Sequence, residues 1–465
     1  MNEHLWKGKR IVILGAARQG TALARYLVRH GAKVMLSDLR SVEELSDARA
    51  ALFDITEQDP DSIEWICGSH PLDLLNEADL VCVSGGVPLE QPIIVEARRR
   101  GIHLSNDSQI FLEVAPCEVI GITGSAGKTT TTSLVGRMAQ AAYQQTDFSA
   151  GRRVWIGGNI GSPLIADVEQ MKPEDLAVVE LSSFQLEIME RSPQVAAVLN
   201  ITPNHLDRHG SMQAYTEAKA RILEYQTEEN FAVLCHEEPG SWSLKERVRG
   251  NLVTFGLHAS AGFVGTYLHK GNLVLWDGEA ETTLFSREAV RLRGEHNLLN
   301  TLAACAIAFA AGLPVESMRA GIDGFLGVPH RLEFVRSWGG AEWYNDSIAT
   351  APERSMAAMR SFDEPLVLLA GGRDKDLPWD DFASLVRQRV KHLIVFGEAA
   401  RKIERAVGES YPKILCQTME EAVQVSAEVV EAGDVVLLSP GGTSFDEFRD
   451  FEERGECFRR LVMQL

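Results

Sequence analysis

The sequence predicts an α/β protein in three domains: a Rossmann-like domain over residues 1–115, a central domain built on a glycine-rich loop over 116–328, and a second Rossmann-like domain over 329–465. Three observations carry this expectation. Strand-like apolar runs alternate with helical patterns in each span, as βαβ units require. A glycine-rich turn follows the opening strand of both the first and the second span. At 465 residues, the chain exceeds what one hydrophobic core organises.

In the first span, Arg10–Leu14, Lys33–Ser37 and Leu80–Ser84 read as strands, and Gly20–His30 and Pro92–Arg100 as helices. The turn Gly15-Ala16-Ala17-Arg18-Gln19-Gly20 joins the first strand to the first helix, and Asp38 ends the second strand. Its spacing lacks the middle glycine that brings backbone against a dinucleotide pyrophosphate, which disfavours a nicotinamide or flavin cofactor. Two readings stand about even on these residues. One is a tight strand-to-helix turn with Asp38 as a surface cap. In the other, helix-N-terminal amides at Ala17, Arg18 and Gln19 meet a nucleotide diphosphate while Asp38 holds its base or ribose. Ser84-Gly85-Gly86-Val87 closes another strand on the same carboxyl edge.

Pro116 breaks the chain, and Glu118–Thr123 opens the second span. Thr123-Gly124-Ser125-Ala126-Gly127-Lys128-Thr129-Thr130 then leads into the helical pattern Ser133–Ala142. Glycines let successive N–H groups face phosphate oxygens, Lys128 supplies a compact cation, and a hydroxyl of Thr129 or Thr130 can reach Mg²⁺. The ligand expected is ATP. Ile122 stands where the common G-x-x-x-x-G-K-[ST] pattern begins with glycine, so the loop departs from that pattern at one end. Gly327-Val328-Pro329 punctuates the end of this span, and strand-like Leu366–Ala370, His392–Phe396 and Asp434–Ser439 mark the third.

A hydrophobic content of 45% and a charged content of 24% fit globular domains and exclude a disordered chain. A formal net charge of −19 without an extended Lys/Arg cluster argues against nucleic acid or an anionic membrane as partner. Small anions remain possible ligands, because local donors outweigh a distant field. The seven cysteines form no C-x-x-C pair and read as buried free thiols. The polar stretch Met1–Lys9 and the absence of a membrane-length apolar run point to the cytoplasm.

The T-G-x-x-G-K-T-T loop resembles that of the Mur ligases and folylpolyglutamate synthetases. Gly157-Gly158-Asn159-Ile160-Gly161, Glu180-Leu181-Ser182-Ser183-Phe184-Gln185-Leu186, Asn200-Ile201-Thr202-Pro203-Asn204-His205-Leu206-Asp207, Gly294-Glu295-His296-Asn297-Leu298-Leu299-Asn300 and Pro329-His330-Arg331 resemble Mur ligase blocks in the same order. The stretch after Glu180 and the closing Ser444-Phe445-Asp446 and Phe451-Glu452-Glu453-Arg454-Gly455 are similar to the glutamate-adding branch. The resemblance spans essentially the whole chain. It implies a UDP-binding first domain, a P-loop ATPase domain and a C-terminal domain that closes over ATP and binds the amino acid. The implied reaction joins glutamate to UDP-N-acetylmuramoyl-L-alanine through an acyl phosphate, with ATP as co-substrate, two Mg²⁺ ions and a monomeric enzyme.

The resemblance also implies roles residue by residue. Glu180 and the loop threonines would hold one Mg²⁺, whereas by itself Glu180 reads as a strand-end carboxylate. His205 would hold a second, together with Lys219 carbamylated by CO₂; alone, each reads as a solvated side chain. Asp207 would orient the imidazole. Asn297 and Asn300, three apart on one helical face, would meet the adenine nucleotide, with N-capping as the plain alternative. Arg331 would face the γ-phosphate and Asp346 the ribose. Asn159 would contact the UDP substrate, and Thr350, Lys375, Ser444, Phe445 and Phe451 the amino acid.

Two departures stand out. Where D-S-K-x-T-N is common, this chain reads Asp346-Ser347-Ile348-Ala349-Thr350-Ala351, so lysine and asparagine are missing and Lys375 becomes the candidate cation. Ser439-Pro440-Gly441-Gly442-Thr443-Ser444 carries extra glycine, which loosens its loop. Both leave the D or L isomer of glutamate open. The competing functions are a folylpolyglutamate synthetase or another Mur ligase, and, outside the ligases, a nucleotide-dependent switch.

Overall fold

The structure, a computed structural model, describes residues 5–144, 151–159, 161–375 and 377–465. Ile160 of the glycine block and Met1–His4 of the polar N-terminus lie outside the described residues. The chain divides into two compact units, one running to Asp323 without Arg291–Gly294, the other holding Arg291–Gly294 and Gly324–Leu465.

The first unit contains two sheets. Strands β1 (Arg10–Leu14), β2 (Lys33–Asp38), β3 (Ile63–Cys67), β4 (Leu80–Val83) and β5 (His103–Ser105) pair in parallel in the order β3-β2-β1-β4-β5. In β1, Ile11 to Leu14 are buried on both faces, the signature of a central parallel strand. The order reverses between β1 and β4, so the turns after these strands, Gly15–Gly20 and Ser84–Val87, flank the crevice where such sheets bind ligands.

The second sheet has the order β14-β13-β12-β11-β10-β9-β6-β8-β7. Its members are β6 (Glu118–Thr123), β7 (Val154–Gly158), β8 (Leu176–Glu180), β9 (Val195–Val198), β10 (Phe231–Cys235), β11 (Asn251–Phe255), β12 (Val264–His269), β13 (Asn272–Trp276) and β14 (Glu281–Ser286). Strands β7 to β12 are parallel, and β13 and β14 add an antiparallel margin. Lys270 and Gly271, at φ 48° and 77°, make the tight turn between β12 and β13, since consecutive positive φ values match the twist of a hairpin.

A short polar helix, Asp107–Val114, locks the two sheets together. Its first turn is buried, and Ser108, Gln109 and the capping Asn106 pair with the segment after β8. Gln185 Nε2 donates to Ser108 Oγ at 2.7 Å, Asn106 Nδ2 donates to Gln185 O at 2.8 Å, and the Glu190 N–H donates to Gln109 Oε1 at 2.7 Å. These pairs offset the burial of the polar first turn, in which, among the described residues, Asp107 Oδ1 alone is without a hydrogen-bond partner.

The second unit holds a sheet ordered β15-β16-β20-β17-β18-β19: β15 (Glu333–Trp338), β16 (Ala341–Asn345), β17 (Leu366–Gly371), β18 (Val390–Phe396), β19 (Lys413–Leu415) and β20 (Val435–Gly441). Only β15 is antiparallel to its neighbour. All seven cysteines are free thiols, five of them buried. No described helix is long and apolar enough to cross a membrane.

Candidate active site

The strand-loop-helix expected at Thr123–Thr130 forms as β6, a glycine turn and a helix over Lys128–Gln144. The helix begins five residues before the pattern at Ser133: four consecutive threonines favour extended backbone by propensity, but packing of the turn overrides it. Gly127 adopts φ +83°, and a Cβ there would fall 2.2 Å from Asn300 Oδ1. No other residue fits.

The turn is braced from the segment after β9. Asn200 accepts the Ala126 N–H at Oδ1 (2.8 Å), donates to the Ala126 carbonyl (3.1 Å), and its own carbonyl accepts the Ser125 N–H (2.9 Å). Ser125 Oγ donates to Thr202 O at 2.9 Å and accepts the Thr202 N–H at 3.0 Å. The loop is therefore held in shape by protein contacts, which is what preorganises donors for a phosphate.

Lys128 Nζ and Lys219 Nζ both donate to the Gly124 carbonyl at 2.9 Å. Lys219 is 1% exposed, and its pKa lies well below the ordinary lysine value, first because burial disfavours the ammonium and second because Lys128 is nearby, with Glu180 opposing. Across the turn, Thr129 Oγ1 donates to Glu180 Oε2 at 2.9 Å, and Asn159 Nδ2 donates to Glu180 Oε1 at 3.3 Å. His205 holds a left-handed backbone at φ 54°, and its ring meets the Phe184 ring at 5.2 Å. A cavity of about 110 Å³ is lined by Lys128, Asn159, Ser183, His205 and Lys219, among others.

Among the described residues, no three His, Cys, Asp or Glu side chains cluster as a closed metal cage. The donors present are hard oxygens at Thr129 and Glu180 with an imidazole nearby, a set suited to Mg²⁺ that takes its remaining ligands from phosphate and water. Thr130 is half-buried at the next helical position. Asn300 is buried against the glycine turn and donates to Asn297 Oδ1 at 3.1 Å, so both asparagines open the helix Glu295–Ala310 beside the phosphate loop.

At the first sheet, Gly15 has φ +96°, Ser84 Oγ donates to the Gly15 carbonyl at 3.0 Å, and a Cβ on Gly20 would fall 1.8 Å from that carbonyl. Ala17 and Arg18 are exposed and Gln19 half-buried at the start of the helix Arg18–Arg29, whose first turn has no side-chain cap. Asp38 accepts the Ala16 N–H at 2.7 Å and is gripped at both oxygens by Arg40, which holds its carboxyl far below the usual range. A Cβ on Gly85 would lie 3.9 Å from Gln19 Oε1 and from Phe184 Cβ, so the turns of the two sheets adjoin. Gly86 has open space around it.

In the second unit, Asp346 is buried, accepts Ser439 Oγ at 2.8 Å, and has its pKa pushed up to about 7 by burial. Arg331 and Thr350 are half-buried, Lys375 and Phe445 exposed, Ser444 buried and Phe451 half-buried at the start of the helix Phe451–Gln464. These segments converge on Arg454, which donates to Ser347 Oγ (3.0 Å), Ser347 O (2.8 Å) and Gly442 O (3.0 Å). Burial lowers the Arg454 guanidinium to about 10. Sequence reasoning missed Arg454, although it lies in a quoted block, and it missed Arg354, whose Nη1 donates to the Ile348 carbonyl at 3.4 Å. A cation thus does reach the segment that lacks the common lysine. Asn200, Ser183 and Tyr215 are also absent from the residues nominated for the site, although Asn200 and Ser183 stand in quoted blocks; Tyr215 lies outside them and leaves no motif.

Three family descriptions match consecutive stretches: Mur ligase MurD-like, N-terminal domain, over 9–106; Mur ligase middle domain over 122–308; and Mur ligase, glutamate ligase domain, over 330–442. The UDP-N-acetylmuramoylalanine–D-glutamate ligase of Symbiobacterium thermophilum is 41% identical over 461 residues, 98% of each chain. Its counterpart from Caldanaerobacter subterraneus is 38% identical over 464 residues, 99% of each. Among solved structures, UDP-N-acetylmuramate-alanine ligase MurC of Thermotoga maritima (TM-score 0.55, 20% identity, 98% of this chain and 99% of that one) and MurF of Acinetobacter baumannii (0.54, 18%, 99% and 93%) share the fold.

Proposed function

The chain belongs to the Mur ligase family, and from that premise we propose that it is an ATP-dependent ligase that joins D-glutamate to UDP-N-acetylmuramoyl-L-alanine in peptidoglycan synthesis. The observation that carries the reading is one cavity lined by a braced phosphate loop with Lys128, a buried amine at Lys219 and Asn159, with the oxygen pair of Thr129 and Glu180 bonded just behind Asn159.

The precursor carboxylate attacks the γ-phosphorus of ATP in line, the bond to ADP breaks, and an acyl phosphate forms. The glutamate amine then attacks the acyl carbon, loses a proton, and phosphate leaves with its electron pair. Lys128 is the cation for the β- and γ-phosphates. Two Mg²⁺ ions, when bound, would supply the charge neutralisation that the gathered anions need. Thr129, Thr130 and Glu180 are the residues suited to one ion, His205 and Lys219 to the other. A neutral Lys219 amine can add CO₂ and release one proton, turning the amine into a carbamate anion; the depressed basicity of that amine supports this reading. Asn297 and Asn300 serve the nucleotide. Ala17, Arg18, Gln19, Asp38, Ser84, Gly85, Gly86 and Asn159 serve the UDP precursor.

In the second unit, Arg331 and Asp346 are assigned to ATP, and Thr350, Lys375, Ser444, Phe445 and Phe451 to glutamate. The domain limits at 115/116 and 328/329 belong to the same reading. The enzyme acts as a monomer in the cytoplasm, a setting that its free thiols support.

The test is phosphate release with UDP-N-acetylmuramoyl-L-alanine and each glutamate isomer, in Mg²⁺ and bicarbonate. Turnover should need the precursor and the D isomer together. ATP breakdown indifferent to both would overturn the assignment and favour a nucleotide switch.

A further inference from the structure

The ligase reading leaves unused a column of rings on one wall of the cavity. His209, at the end of the short helix Leu206–His209, has a side chain 1% exposed and is pinned from three directions. Its face stacks on Phe184 at 5.0 Å with the planes 1° apart, Nε2 lies 2.9 Å from Ser183 Oγ, and Nδ1 lies 3.7 Å from Glu187 Oε2. The Tyr215 ring lies 5.1 Å from the imidazole, tilted by 55°, and its hydroxyl is 3.0 Å from Ser125 Oγ in the phosphate loop. The Arg208 guanidinium lies over the Phe184 ring at 4.5 Å. One rigid column therefore fixes a hydroxyl on the phosphate loop and another, Ser183, on the facing segment.

The carboxylate near Nδ1 favours the tautomer with its proton there, which leaves Nε2 as an acceptor. Ser183 then donates its only proton to His209 and turns its lone pairs to the cavity. A hydroxyl so held accepts hydrogen bonds. Phe184, next in the chain, adjoins Gly85 of the first sheet, the side from which the UDP precursor extends under the ligase reading. The precursor carries one N–H next to its reacting carboxylate, the amide of its alanine.

We infer that Ser183 is a substrate-positioning residue that accepts the alanyl amide N–H of the precursor, and that His209 acts through it by fixing the direction of its lone pairs. The inference rests on the ligase reading. It concerns placement of the carboxylate for phosphorylation, so the step affected is the first.

The measurement is ADP formation in a single turnover with ATP and UDP-N-acetylmuramoyl-L-alanine, without glutamate. Ser183→Ala and His209→Phe should each slow this step about tenfold, with KM for ATP unchanged. The double variant should be no slower than Ser183→Ala alone, because both remove the same contact. His209→Gln, which keeps an acceptor, should recover part of the loss. A precursor with an ester in place of the alanyl amide gives a readout that does not depend on how well His209 variants fold. The wild type should lose about tenfold with it, and Ser183→Ala should not distinguish ester from amide. Multiplicative losses in the double variant, or a Ser183→Ala enzyme that still prefers the amide, would overturn the inference. A wild type that forms no ADP with the natural precursor would instead sink the ligase reading itself.

Discussion

The glycine turn after β1 and the glycine turn after β6 are built alike, each a buried strand, a positive-φ glycine and a helix, yet they hold their charged side chains differently. After β6 the helix opens on Lys128, which folds onto the Gly124 carbonyl with Lys219 beside it. After β1 the helix opens on Arg18, an exposed side chain, and the charged pair behind the turn, Asp38 with Arg40, is engaged with itself. A diphosphate that only anchors a substrate can be held by amides and a helix N-terminus. A phosphoryl group in transit gathers charge, and stabilising it takes cations fixed in place before the reaction. Under the proposed function, the two turns divide those tasks.

The widest separation between the turns should come from their first helical residues. Lys128→Ala is expected to lower kcat about 10³-fold in the phosphate-release assay. Arg18→Ala should raise KM for the UDP precursor a few-fold and leave kcat within about twofold. Equal losses at both positions would erase the distinction. A second contrast concerns the glycines. Gly127→Ala meets both a left-handed backbone and Asn300, and should reduce kcat on the order of a hundredfold, whereas Gly86→Ala, with open space around it, should change precursor KM by less than about twofold.

The smallest effect is one of pH. The folded state disfavours the Lys219 ammonium, so between its lowered pKa and the ordinary lysine value the unfolded chain binds more protons and stability rises with pH. Below that lowered value the amine is protonated and cannot add CO₂. Added bicarbonate should therefore raise the rate a few-fold at the acid end of the activity profile and little at the alkaline end. Lys219→Arg should lose this response. A bicarbonate effect that survives in the variant would remove Lys219 from the chemistry.

Much of the fold is legible before any coordinates. The strands at Arg10–Leu14 and Glu118–Thr123 occupy the very residues that their apolar runs mark out, and Leu366–Gly371 extends its run by one residue. These are central strands buried on both faces, where an unbroken apolar run leaves little choice of partner. The hairpins at β12 to β14 escaped a specific reading, because an edge with one exposed face mixes polar and apolar residues. The stretch Tyr215–Leu223 reads as polar and helical and lies within the helix Met212–Glu224, yet Lys219 in it is buried.

The order of strands, glycine turns and helices, and the kinds of group available to react, follow from the sequence alone, because periodicity and backbone freedom are local properties. The tertiary structure alone decides how those groups behave. Lys219 becomes a weak base because the fold buries it and sets Lys128 nearby, Asn200 shapes the phosphate loop across 74 positions, and Ser183 is aimed by a histidine 26 residues on. Burial, charge and direction are sums over neighbours that the chain supplies from far along its length, and no local pattern records them.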